Sequence, residues 1–297
     1  MPLYKYVTPE RIDVLRTGRI RFSQPTALND PFELRPYFDN LISDSVVLAY
    51  MAANPVDLTP QLTKAYAQLS DDQKRALPLD NYLATVKHVV ESDEFRVQFP
   101  QYIAVMLEWI RDLAAPIRNQ LADGIGSRVG ILSLTEDPTN TLMWSHYAAQ
   151  HQGMVYCFDE KHSFFDRRHS PEDTFYQVRP VVYLARNASQ SLIDMNDDVF
   201  LFAKAPEWSY EREWRVLAPL AEADHVVENT PEKVSLFALP PGVVTGVILG
   251  ARMSLDNRQA VQELLRTESR YRHLELFYAT LDDSTAGVVV SSAVPEL

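Results

Sequence analysis

The sequence predicts an α+β fold, a mixed β-sheet core interrupted by an all-α insertion, and three observations carry that reading. Apolar segments with the two-residue alternation of strands occur at the start of the chain and again through its second half. Between them, from about Asn40 to Arg128, apolar residues recur every three or four positions, and Pro55, Pro60, Pro78, Pro100 and Pro116 mark breaks. The last third ends in a strand, an amphipathic helix and a strand, the pattern of a βαβ unit. The expected organisation is therefore a core from residues 1–39 and 128–297 with a helical insertion at 40–127, acting as a lid or an interface.

Taken in order, Leu3 to Val7 reads as a strand and Thr8 to Thr17 as a helix, with Thr8 as N-cap, Pro9 at the first position and Gly18 as the stop. A strand at Arg19 to Phe22 leads into the turn-rich Asn29-Asp30-Pro31-Phe32-Glu33. Within the insertion, Tyr102, Met106 and Trp109 fit the core side of one helix. Val129 to Thr135 is the next strand, and Asp137-Pro138 starts a helix through Tyr147, with Asp137 as N-cap. Met154 to Asp159, Val178 to Leu184, Glu213 to Leu217 and Val243 to Leu249 continue the strands. A helix over Leu255 to Thr267 and a strand at Leu274 to Tyr278 close the series.

Composition excludes several functions. The 297 residues carry a net charge of −12, which disfavours broad electrostatic binding to nucleic acid and leaves only a local patch such as Arg167-Arg168-His169. Cys157 is the single cysteine, in a strand-like apolar run, which reads as a core residue. No apolar run approaches the roughly 18 residues of a membrane span, and Met1-Pro2-Leu3-Tyr4-Lys5 leads directly into strand-like sequence without a signal-peptide pattern, so a cytoplasmic location is expected. No Gly-rich dinucleotide or phosphate-loop signature occurs. His146 and His151, five apart, match neither one helix face nor a zinc pair, and no metal site is expected.

Four segments and two isolated lysines offer chemistry. In Trp208 to Val216, read as a strand, Glu211, Glu213 and Arg215 share a face. Two carboxylates about 7 Å apart beside an arginine suit a ribose or a cationic transition state; the competing reading is a solvent-facing strand laced with ion pairs. Ser133 and Thr135 point together from their strand, with hydroxyls for a ligand or for neighbouring backbone. Trp144, His146 and Tyr147 cluster in one helical turn, as the lining of a pocket for a flat ring or as core. Lys5 alternates with Leu3 and Val7, where a cation is out of place unless it faces a cleft; Lys204 is a further cation, or a surface residue. The Asn29 to Glu33 stretch has a turn-forming role by default.

Together, Leu3-Tyr4-Lys5-Tyr6, Asn29-Asp30-Pro31-Phe32-Glu33, Leu142-Met143-Trp144-Ser145-His146-Tyr147 with Gly153, and Trp208 through Arg215 resemble the bacterial family of unknown function numbered 2971. The order of elements also resembles, more distantly, ADP-ribosyltransferases of the DNA-targeting toxin type. That resemblance implies an ADP-ribosyltransferase-like core, NAD as co-substrate, Glu213 as catalytic carboxylate with Glu211 assisting, and Lys5, Ser133, Thr135, Trp144, His146, Tyr147 and Arg215 as cofactor-binding residues. The sequence departs from that pattern in having Lys5 where a planar donor or imidazole is usual, and in the bare Ser133-Leu134-Thr135 motif. The implied activity is nicotinamide cleavage with transfer of ADP-ribose to a protein, a small molecule or a single-stranded nucleic acid. The alternative is a non-catalytic nucleotide-sensing or protein-interaction module, in phage defence or stress response. A metal-dependent nuclease built from Glu211, Glu213 and Lys204 is the least favoured reading.

Overall fold

A computed structural model describes residues 1–53, 59–185, 191–194, 199–228 and 233–293 of the chain. The strands are β1 (Leu3–Val7), β2 (Arg19–Phe22), β3 (Val129–Thr135), β4 (Met154–Phe158), β5 (Arg179–Pro180), β6 (Val182–Tyr183), β7 (Ala203–Lys204), β8 (Glu213–Pro219), β9 (His225–Val227), β10 (Val234–Ala238), β11 (Val244–Leu249), β12 (Glu275–Asp282) and β13 (Gly287–Ser291). The α-helices are α1 (Asp13–Thr17), α2 (Asp44–Ala53), α3 (Thr59–Ala67), α4 (Asp71–Ala76), α5 (Leu79–Glu91), α6 (Asp93–Asp112), α7 (Ala114–Arg128), α8 (Thr141–Tyr147) and α9 (Leu255–Thr267).

The chain forms two compact units. One comprises Met1–Pro36, Gln120–Arg186 and Asn196–Leu297; the other comprises Tyr37–Asn119 and Asn187–Met195. The first holds an eight-stranded sheet in the order β13-β12-β11-β4-β1-β3-β8-β5, with smaller sheets β2-β10-β9 and β6-β7. In the large sheet only β11 and β12 run parallel, joined through α9 as the βαβ pattern predicts; its other pairs are antiparallel. This is a mixed α+β architecture.

Burial explains the strand sequences. All five residues of β4 are buried, because the sheet is covered on both faces there. On one face Leu3, Val7, Met154, Tyr156 and Phe158 pack with Val261 of α9. On the other, Tyr6, Val155, Cys157 and Ile248 pack with Met143 and Trp144 of α8. Cys157 is thus a core residue, and burial pushes its thiol up to about 12.

Several boundaries differ from the sequence expectation. The first helix is split into a 3-10 turn at Pro9–Ile12 and α1, and the Thr8 side chain makes no cap bond. The cap of α8 is Asn140 rather than Asp137: Asn140 Oδ1 accepts from the N–H groups of Leu142 (3.0 Å) and Met143 (3.1 Å). Asp137 instead closes a turn onto Thr139 N–H at 2.8 Å. The expected strand over Val178 to Leu184 is reduced to β5 and β6, paired in different sheets. Arg167 lies over the rings of Phe164 (4.8 Å) and Tyr176 (5.5 Å), and Arg168 forks onto Asp166, so these two side chains are already engaged.

The second unit contains α2 to α6. Pro78 precedes α5 and Pro116 sits in the first turn of α7, where a missing N–H costs nothing. α6 runs through Pro100, against the expected break; one ladder bond is lost while turns on both sides persist. Pro55 lies outside the described residues. Among the described side chains of α6, Ile103 and Leu107 are buried and Met106 is half-buried, whereas Tyr102 and Trp109 are each 63% exposed, correcting the expectation that they are core. The helix turns that face by about one position relative to the sequence reading.

Candidate functional site

β1 and β4 pair over five residues and β3 and β8 over seven, but β1 and β3 pair only at Tyr4 and Thr135. Beyond that point β3 turns to another partner: Ser23, just after β2, exchanges backbone hydrogen bonds with Ile131 at 2.8 and 2.9 Å. The sheet therefore parts between its two central strands. A cavity of about 330 Å³ opens there, at the small end of the roughly 300–1,000 Å³ typical of ligand sites. Lys5, Ser133, Thr135, His146, Tyr147, Glu211 and Glu213 line it, with Ser23, Asn29, Glu33 and Lys204.

The Lys5 ammonium donates to the Ser133 carbonyl at 2.9 Å across the parting. Burial pulls its pKa down to about 8, with the Glu213 carboxylate pulling the other way. On the far wall, Lys204 Nζ lies 2.5 Å from Glu211 Oε2, 3.2 Å from Glu213 Oε2 and 3.7 Å from Glu33 Oε2. Burial opposes the charge of Lys204, but Glu213 and Glu211 outweigh it and hold the ammonium above its ordinary range. Burial raises the Glu213 carboxyl, against the pull of Lys204 and of the Ser133 hydroxyl bonded to it.

Arg215 is fully buried behind this wall. Its Nε donates to Glu213 Oε1 at 2.8 Å, Nη2 to Glu213 Oε2 at 2.9 Å and Nη1 to the Leu201 carbonyl at 3.0 Å; Nη2 also meets Glu33. Burial draws the guanidinium below its usual range, yet it starts so far above neutrality that it stays charged. Buried ions are costly unless paired and hydrogen-bonded, so five of them beside a cavity make this the candidate site.

The backbone accounts for the arrangement. The 3-10 turn Pro206–Glu211 ends at Arg212, left-handed at φ 43° and ψ 51°, and β8 begins at Glu213. The continuous strand expected over Trp208 to Val216 is thus replaced by a turn and a strand. Glu211, Glu213 and Arg215 still point to one side, and all are buried, which removes the reading of a solvent-facing ion-pair strand. Thr135 Oγ1 donates to the Glu211 carbonyl at 2.6 Å, and the Glu213 N–H donates to the Tyr183 hydroxyl at 2.8 Å. Tyr183 is pushed up to about 12, chiefly by burial.

α8 supplies the remaining wall. Tyr147 OH donates to Glu211 Oε1 at 2.5 Å, and burial first, then Glu211, raises its pKa. His146 Nδ1 is 3.3 Å from the Tyr210 hydroxyl at an exposed position. Trp144 is not a lining residue: it is fully buried, edge-on to Tyr6 at 5.2 Å, with its indole N–H on the Pro138 carbonyl at 2.9 Å. Arg215 likewise touches the wall rather than the cavity. After α8 the chain passes through Ala149, Gln150 and His151, all left-handed, at about 1 kcal/mol or more each. Bonds from His151 N–H to the Trp144 carbonyl (3.1 Å) and from Gly153 N–H to the Ala148 carbonyl (2.8 Å) hold this turn.

Glu33 is the residue that sequence reading missed. Asp30 Oδ1 accepts from Phe32 N–H at 2.9 Å, the side-chain turn expected of Asp-Pro, and this turn delivers Glu33 to the buried charges. Its sequence signal was only a glutamate after an apolar residue, some 170 positions from Lys204. Among the described residues no group of three His, Cys, Asp or Glu is arranged to hold a metal ion. Nor does any described helix have the length and apolarity to cross a membrane.

No curated protein and no solved structure matches the chain. The model of one family, described as a protein of unknown function (DUF2971), matches residues 143–216, the stretch running from α8 to the buried Glu211, Glu213 and Arg215.

Proposed function

We propose that the protein is an NAD-dependent ADP-ribosyltransferase-like enzyme, which cleaves nicotinamide from NAD and passes ADP-ribose to a protein or a single-stranded nucleic acid. One observation carries the reading. β1, β3 and β8 are neighbours in the sheet, and Lys5, Ser133, Glu211 and Glu213 from these strands and the turn before β8 line a single cavity at the place where the sheet parts. The cavity is bipolar: Lys5 is bonded to a carbonyl on one side, and the Glu33, Glu211 and Glu213 carboxylates stand on the other. Such a site suits a ligand that joins phosphate to a ribose bearing a cationic ring. A carboxylate beside an anomeric carbon stabilises the cation that forms as the base leaves.

A second reading has its own support. Both oxygens of Glu213 are already engaged by Arg215, which suits a site that senses a nucleotide without turning it over and signals to a partner. Nicotinamide release from NAD by the purified protein, measured beside an NAD-induced thermal shift, separates the two. Release supports the transferase, a shift without release supports the sensing module, and the absence of both signals rules out NAD as the ligand.

A further inference from the structure

Resting on the NAD-cleaving reading, we propose that Glu211 is the carboxylate that meets the ribose of the ligand, while Glu213 is a positioning residue that holds the charged wall together. The two carboxylates differ in how many donors their oxygens already receive. An ionised carboxylate offers about four acceptor sites. Glu213 receives Arg215 Nε at 2.8 Å on Oε1, and Arg215 Nη2 at 2.9 Å and Lys204 Nζ at 3.2 Å on Oε2. Both of its oxygens are thus engaged by buried cations, with three donors against the two on Glu211.

Glu211 receives two donors, Tyr147 OH on Oε1 and Lys204 Nζ on Oε2, each at 2.5 Å. One lone pair on each oxygen stays open, and both donors line the cavity with it. The backbone enforces the difference. Glu213 is locked into the β3–β8 ladder opposite Thr135, whereas Glu211 precedes the left-handed Arg212 and is tied by its carbonyl to Thr135 Oγ1.

In the reaction, the bond from ribose C1′ to the nicotinamide nitrogen breaks and its electron pair leaves with neutral nicotinamide. A ribose hydroxyl donates to an open Glu211 oxygen, which places negative charge beside the C1′ cation. Water or the acceptor then bonds to C1′ and loses its proton to Glu211, which returns it to solvent. Glu213 takes no part in these bonds; it fixes Lys204, and Lys204 fixes Glu211.

The test compares Glu211→Gln, Glu213→Gln and the double variant Glu213→Gln/Arg215→Met, in which neither buried charge loses its partner alone. Nicotinamide release from NAD and the thermal midpoint are read for each. Glu211→Gln is expected to lose about a hundredfold in release with its midpoint within about 3 °C of the wild type. Glu213→Gln is expected to drop by about 10 °C, since it takes from Arg215 the carboxylate bonded to both Nε and Nη2 and leaves Glu33 as its remaining anionic partner, and the double variant to regain at least half of that loss. The double variant should also release nicotinamide about tenfold faster than Glu211→Gln. The assignment is overturned if Glu211→Gln loses as much midpoint as Glu213→Gln, or if the double variant is as inactive as Glu211→Gln. A wild type that neither binds NAD nor releases nicotinamide overturns the NAD reading alone, and the midpoints still decide whether Glu213 or Glu211 is the structural carboxylate.

Discussion

Tyr147 and Glu211 are joined by a phenol-to-carboxylate hydrogen bond of 2.5 Å that ties α8 to the turn before β8. The bond fixes one oxygen of a carboxylate that lines the cavity. Tyr147→Phe keeps the ring and removes the donor, so its stability cost is expected to be about 1 kcal/mol. Its effect on function is expected to be larger, a fall of about tenfold or more in nicotinamide release, because a misdirected carboxylate loses its aim on the reacting carbon. Steady-state release and urea unfolding of the same preparations check this; equal, small losses in both would make the bond merely structural.

Lys5 gives the protein a pH signature. Its pKa is about 8 in the folded state against about 10.4 in an unfolded chain. Between those values the unfolded state binds more protons, so stability rises with pH across that window, and below pH 8 the penalty is constant. Lys5→Met removes this titrating group. The wild type should therefore gain on the variant by up to about 3 kcal/mol between pH 8 and 10.4. Urea unfolding of both proteins at several pH values in that range measures the difference; a flat difference contradicts a lowered pKa for the half-buried Lys5 ammonium.

What the sequence disclosed follows from how local each signal was. α9 and the flanking parallel strands rest on periodicity within some 35 residues, and Leu255 to Thr267 was legible in full. The left-handed Arg212 was not legible, because an arginine there has no turn signature; it is held in place by Thr135 and Tyr183, far off in sequence. Lys204 read equally well as a surface residue, since nothing near it in sequence marks its burial among Glu33, Glu211 and Glu213. Charged side chains declare their burial only through distant partners, whereas apolar runs such as Met154 to Phe158 declare it by themselves.

Asn140 performs two tasks that one substitution can separate. Its Oδ1 caps α8, and its Nδ2 donates to the Tyr210 carbonyl at 2.8 Å, bracing the helix against the turn that carries Glu211. Asn140→Ala loses both and is expected to cost about 2 kcal/mol, roughly half from the cap and half from the brace. Asn140→Asp keeps a capping oxygen and loses the brace, so about 1 kcal/mol is expected. Chemical denaturation of the three proteins distinguishes the cases, and an aspartate variant as unstable as the alanine one would mean that the cap contributes nothing.

The connection from α8 to β4 leaves no room for a side chain at Gly153. A Cβ there would stand 2.0 Å from the Val7 carbonyl oxygen and 3.0 Å from the Ala148 Cα, both backbone atoms. Neither neighbour can yield easily, since Val7 is paired with Met154 in the ladder and Gly153 itself bonds to Ala148 and Gly250. Gly153→Ala is therefore expected to cost more than about 4 kcal/mol. Gly124, within α7, offers the control: a Cβ there meets nothing within 4 Å. Gly124→Ala should stabilise the protein by about 0.5–1 kcal/mol through helix propensity. The two substitutions make the same chemical change and should move the thermal midpoint in opposite directions. A Gly153→Ala protein as stable as the wild type would show that the left-handed turn at Ala149 to His151 relaxes freely, and that α8 does not hold Tyr147 rigidly against Glu211.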